Sequence, residues 1–320
     1  MALEIFDRLE NSEDPSIRYL FMREVQGKDE NDPEVKSTRQ AIVNSPNVVQ
    51  MLAARKSDGT FPWHAYSKWR GAFWTLLQLV DLGYPEGDKS LLPLMEQNYA
   101  WLLDTDRLKR IPEINGKYRR CALQEASVVL TAIKFELMDD RVHQLVNLLL
   151  KWQWPDGGWN CDKNPTASHS SFYETWLPLR AIYAYAQPYG GHHVGRAVER
   201  AAEIFLSRNL YKRKEDGTVM HKAFTQLAFP PYWHYDVLTG LQVMAEIGRL
   251  GDRRCKDALD LLASKQLPDG GFAAEKKYYQ VTDREISGVS PVKWGPVGKS
   301  KSNDHVSVRA LAVLKKAGRL

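Results

Sequence analysis

The chain has 320 residues, and 44 Lys and Arg against 39 Asp and Glu leave a formal charge of +5. No apolar run reaches the roughly 18 residues a membrane-spanning helix needs. Three cysteines (Cys121, Cys161 and Cys255) are too few and too scattered for a disulfide framework. The basic residues are spread along the chain rather than gathered in a stripe, so nucleic acid is not an expected partner. Met1 to Asp14 is acidic and amphipathic, which argues against a secretory signal and for a cytoplasmic protein. Tryptophan is abundant, with 10 Trp against 10 Phe and 14 Tyr.

The apolar spacing predicts an all-α protein. Phe73, Trp74, Leu76, Leu77 and Val80 recur at helical steps, as do Leu145, Leu148, Leu149 and Trp152, and then Leu238, Leu241, Val243, Met244 and Ile247. Leu82-Gly83-Tyr84-Pro85 reads as a helix stop, and Pro188 with Gly190-Gly191 as another. Pro178 falls inside a helical pattern and predicts a kink. No run of alternating strands stands out.

A turn signal recurs between these helices. It reads Lys56-Ser57-Asp58-Gly59-Thr60-Phe61, then Gln153-Trp154-Pro155-Asp156-Gly157-Gly158-Trp159, then Lys214-Glu215-Asp216-Gly217, then Gln266-Leu267-Pro268-Asp269-Gly270-Gly271-Phe272. Ile114-Asn115-Gly116-Lys117 is a weaker copy. Successive turns at 58, 115, 156, 216 and 269 are 57, 41, 60 and 53 residues apart, room for two helices each. Length alone, at about 150 residues per domain, suggests two domains. The repeats favour one domain instead, over residues 49–320, of about five helix–turn–helix units behind an N-terminal helical extension over residues 1–48.

The two sharp copies, Gln-x-Pro-Asp-Gly-Gly-aromatic, resemble the Gln–Trp repeat of the terpenoid cyclase and protein prenyltransferase superfamily. The resemblance covers roughly residues 50 to 320. It implies an α/α toroid, with inner and outer helices alternating around a central cavity. Each segment after a turn then opens an inner helix at the mouth of that cavity. Five such starts are polar and mostly aromatic: Tyr66-Ser67-Lys68-Trp69-Arg70, Tyr118-Arg119-Arg120-Cys121, His169 to Glu174, Tyr232 to Asp236, and Ser302-Asn303-Asp304-His305.

These starts supply the candidate site. Pro230-Pro231-Tyr232-Trp233-His234-Tyr235-Asp236 surrounds one acid with four rings, and His234 beside Asp236 suggests a base and an acid. Glu174 holds the matching slot of the third unit, and two carboxylates in one dry cleft drive each other's pKa apart. Helix capping and a salt bridge to Arg70 or Arg120 are the structural alternatives. Tyr66, Trp69, Arg70, Arg120, His169, Tyr173, Trp233, Tyr235, Asp304 and His305 are the candidate substrate contacts. Zinc is the candidate metal, because the resemblance implies Asp, Cys and His ligands at helix starts, and Cys121, Cys161 and Asp162 lie there.

The chain also departs from the superfamily. The acid motif Asp-x-Asp-Asp is reduced to Asp104-Thr105-Asp106-Arg107, and Asp139-Asp140 is followed by Arg141-Val142-His143 rather than by a magnesium-binding pattern. A Tyr-His-Thr slot reads Tyr173-Glu174-Thr175. Squalene-type polycyclisation and protein prenylation are therefore not expected. The expectation is an enzyme using acid–base chemistry on a small, partly apolar, isoprenoid-like substrate in an aromatic-lined cavity. The alternatives are a carbohydrate-active hydrolase or lyase with paired acids, and a non-catalytic toroid that binds lipid or peptide. The segment Ala273 to Lys301 reads as a lid or a disordered insertion.

Overall fold

The computed structural model describes residues 4–282, 284 and 286–320. It is mostly helical. The N-terminal part holds α1 (Glu4–Glu10), α2 (Pro15–Leu20), α3 (Pro33–Ala41) and α4 (Pro46–Leu52), with a π turn over Phe21–Gln26. Three of these helices start in the same way. Asp14, Asp32 and Ser45 accept from the free backbone N–H groups of Ser16, Glu34 and Val48, and a proline follows each cap. The cap supplies a bond that the helix start lacks, and proline there gives up no bond of its own.

Five later helices are buried almost all round: α5 (Ala72–Asp81), α8 (Leu123–Lys134), α10 (Phe172–Tyr189), α12 (Val237–Glu246) and α14 (Asp304–Lys316). Such helices need neighbours on every side. α5 packs on α8, α8 on α10, α10 on α12, α12 on α14, and α14 on α2 and the π turn. A second set covers them: α6 (Leu92–Leu102), α9 (Asp140–Trp152), α11 (His192–Leu206) and α13 (Lys256–Ala263) pack on the buried set from one face. In α9 that face is Val142, Leu145, Val146, Leu149 and Trp152. Each such side chain, fully buried, contributes roughly 1.5–3 kcal/mol. A short α7 (Thr105–Lys109) completes the helices, and none among the described residues is long and apolar enough to cross a membrane.

The two sharp turns build the same cage twice. Gln153 donates to Gly157 O at 2.7 Å and Gln266 to Gly270 O at 2.9 Å. Trp159 N donates to Thr175 Oγ1 and Phe272 N to Ser307 Oγ, at 3.2 and 2.8 Å. Ser170 and Ser302 each donate to the turn aspartate, Asp156 or Asp269. The second glycine lies tight against the next helix start. A Cβ on Gly158 would lie 2.5 Å from Thr175 Oγ1, and one on Gly271 2.5 Å from Ser302 Cβ.

Some expectations shift. The weak turn copy is a β-hairpin, β1 (Glu113–Ile114) paired with β2 (Lys117–Tyr118), because Asn115 and Gly116 both take positive φ, 52° and 67°. α10 runs through Pro178 and Pro188 to Tyr189. The two truncated acid motifs are helix caps: Asp104 accepts from Arg107 N and Asp139 from Arg141 N. The segment from Ala273 to Lys301 is irregular but packed, with Tyr279, Val292 and Trp294 buried, and it bridges to Ala228 through Lys276. Asp283 and Glu285 of that segment lie outside the described residues.

Candidate active site

Two chain segments and one helix start meet at a single point. Cys121 lies just before α8, Cys161 two residues beyond the Trp159 turn, and Glu174 in the first turn of α10. One ligand atom from each, the two Sγ atoms and a carboxylate oxygen, lies within 4.8 Å of the others. A hydrogen bond joins Cys161 Sγ to Glu174 Oε1 at 3.4 Å, and Glu174 Oε2 is buried with no hydrogen-bond partner among the described residues. The cysteines are half-buried, so the group faces solvent on one side. Burial pushes the Glu174 carboxyl well above its usual range. The hydrogen bond between the thiols raises Cys121 and lowers Cys161, which makes Cys161 the more acidic of the two.

The repeat scaffold does not require these residue types. Aligning the two cages puts Cys161 where the later copy has Ala274, and Glu174 where it has Val306. The same hydrogen bonds form around alanine and valine. A buried carboxyl with a free oxygen is costly, by about 1–3 kcal/mol or more, and the thiols and the Leu123 backbone are the groups near Glu174 that bond to it.

Neighbouring residues hold the point in place. Glu125 is wholly buried and paired with Arg120 Nε at 3.1 Å to both oxygens, and with Arg107 at 3.3 Å. Gln124 Oε1 accepts from both arginines. Arg120, a candidate substrate contact, is therefore a structural anchor for the Cys121 segment. Tyr66 packs against Phe73, Trp74 and Trp101, and its phenol hydrogen-bonds Gln124 beside Cys121 and Glu174. Burial pushes that phenol up.

An aromatic group forms beside it. His234 stacks between Trp233 and Tyr278, with ring centroids at 3.9 and 3.3 Å. Tyr173 meets Trp233 edge-on, and Trp69 stacks on Tyr232 at 3.9 Å. Burial lowers the His234 pKa from 6.5 to about 4, and its Nδ1 lies 3.1 Å from Pro231 O. Burial, and not the bond to Pro231, makes the ring a weak base. Lys68 lies over both Trp69 and Trp233.

The other candidates fall elsewhere. Asp236 is the N-cap of α12: one oxygen accepts from Thr239 N and Thr239 Oγ1 at 2.8 and 3.0 Å, the other from Ala228 N at 2.9 Å. Burial raises its pKa to about 6. No hydrogen bond joins it to His234 or to Glu174 among the described residues. Asp162 accepts from Asn164 N in an exposed turn and takes no part in the cysteine group. Tyr235 is core, its hydroxyl donating to Leu210 O at 2.8 Å. Asp304 pairs with Arg8, His305 stacks on Phe229, and His169 is exposed against Ser168. Arg70 lies over Trp63. Gln124, Glu125 and Tyr278 join the site without having stood out in the sequence. For Gln124 and Glu125 the available signal was their place one helical turn after Cys121.

The residues present fit a soft divalent ion. A tetrahedral zinc with bonds near 2.3 Å to sulfur and 2.0–2.2 Å to oxygen sets its ligands roughly 3.5–4 Å apart, and the two thiols and the carboxylate oxygen, all within 4.8 Å of one another, need only draw together to reach that spacing. No protein-family model matches the chain, and no curated protein matches its sequence.

Proposed function

We propose that the protein is a zinc-dependent enzyme acting on a small, partly apolar molecule, and that Cys121, Cys161 and Glu174 hold the metal. The observation that carries this reading is the convergence of three donor atoms within 4.8 Å, one of them on a carboxylate whose second oxygen is buried with no hydrogen-bond partner among the described residues. Three protein ligands are the usual complement of a catalytic zinc, which then supplies a Lewis acid with one open position. Tyr66 lies close to Cys121 and Glu174, and Tyr173 and Trp233 pack edge-on nearby, so a substrate held at the metal would meet aromatic side chains. The order of helix packing supports an α/α toroid like that of the terpenoid cyclases and protein prenyltransferases. The paired-carboxylate reading for sugars lacks its second acid, because Asp236 is committed as a cap.

Metal analysis of protein purified without chelator tests this reading. One equivalent of zinc is expected, lost in Cys121→Ser and Cys161→Ser, weakened in Glu174→Gln and retained in Asp162→Asn. Cobalt loading should give a thiolate charge-transfer band that both serine variants lack. No stoichiometric metal after reconstitution overturns the reading. So does a disulfide between Cys121 and Cys161 in the active protein.

A further inference from the structure

A second feature lies at the other end of the buried helices. A cavity of about 300 Å³ opens where α5, α8, α12 and α14 end, at the lower limit of small-molecule sites. A small recess of about 30 Å³ adjoins it and shares Asp81, Arg180, Gln242, Glu246 and Arg309. Two arginines stand in this space, and they differ. Arg180 is neutralised: Glu246 accepts from its Nε and Nη2 at 2.7 and 2.8 Å, and Asp81 lies at 3.4 Å.

Arg309 is not. It is 9 % exposed, donates to the backbone oxygens of His305 and Asp81 at 2.8 and 2.6 Å, and lies 4.1 Å from the Phe229 ring centre. No carboxylate lies within 4.0 Å of its guanidinium among the described residues. Burial, with a smaller push from Arg180, lowers its pKa to about 10 against the opposing pull of Asp81 and Asp14, so it remains a cation at neutral pH. Asp81 and Asp14 attract it only from beyond contact distance, and a buried cation with no carboxylate in contact is stabilised by an anion that arrives at hydrogen-bond distance. Trp176 adds a second donor: its indole N–H is buried without a partner, and the residue lines the recess. At the mouth, exposed Lys134 adds positive charge, while Lys316 is paired with Glu24 and Val80, Tyr84, Phe135 and Ala312 supply an apolar wall.

We propose that this cavity binds a compact organic anion, its carboxylate or phosphate head on Arg309 and Trp176 and its apolar body against Tyr84 and Phe135. The site is separate from the cysteine group and does not depend on a metal there.

Calorimetric titration of the full-length protein with hexanoate, hexyl phosphate, inorganic phosphate and 1-hexanol tests the proposal. At least one of the two amphiphilic anions should bind one site, more tightly than 1-hexanol, and the tighter head names the ligand class. Arg309→Met should weaken that binding about tenfold or more, as expected for a lost charged hydrogen bond, and leave 1-hexanol unchanged. Arg309→Lys should restore part of it. Lys134→Glu, at an exposed position where folding is not at stake, should weaken it about threefold by reversing charge at the mouth. The proposal is overturned if no probe binds, if 1-hexanol binds as well as the anions, or if inorganic phosphate equals hexyl phosphate. It also fails if neither Arg309→Met nor Lys134→Glu changes the affinity.

Discussion

At the scale of single residues, His234 shows how surroundings redefine a side chain. Its aromatic neighbours hold it neutral, with a pKa near 4 against 6.5 for a free imidazole. Above pH 6.5 the ring is neutral in both the folded and the unfolded chain, so stability is unaffected. As pH falls from 6.5 toward 4, the unfolded chain takes up the proton first, and stability is lost. His234→Phe keeps the stack and removes the titration. Urea midpoints at pH 7 and pH 4.5 should therefore drop more for the wild type than for the variant. Equal drops would refute the assignment. The residues of the metal reading were only half legible. Cys121, Cys161 and Glu174 stand out in the sequence, but Asp162 was the expected third ligand because it adjoins Cys161. Adjacency along an exposed turn points side chains apart, and Glu174 arrives instead from the start of another helix.

At the scale of elements, the repeated turn is the most legible feature. Its glycines, glutamines and aspartates each make the contact that their residue type suggests. Gly158→Ala forces a Cβ to 2.5 Å from Thr175 Oγ1 and 2.7 Å from Ser170 Cβ. It should destabilise the protein by about 1–3 kcal/mol, as overpacking does, measured by denaturant unfolding. Gln153→Ala removes bonds to Gly157 O and Ala197 O and should cost about 2 kcal/mol; a change under about 0.5 kcal/mol would mean that the glutamine is replaceable by water. The helix spans near 73, 145 and 238 were readable from period alone. The hairpin at Asn115-Gly116 was not, because two residues per strand carry no alternation to detect.

At the scale of the whole molecule, the N-terminal helices are joined to the rest. Ile5, Leu9, Phe21 and Val25 belong to the same core as the five buried helices. Ile5 N donates to Asp269 O, and Arg8 reaches Asp269, Ser302 and Asp304 across the chain. Thermal unfolding should therefore be one transition, with calorimetric and van't Hoff enthalpies in agreement. A stable core lacking residues 1–48 after limited proteolysis would contradict this. The sequence by itself determined the helical class, the turn cages and the supply of aromatic and thiol side chains, because periodicity and turn chemistry are local. Only the tertiary structure decided that Asp236 is a cap, that Glu174 meets two cysteines, and that Arg309 lies buried with no carboxylate within 4.0 Å among the described residues. Those outcomes depend on which residues, distant along the chain, share a space that water does not fill.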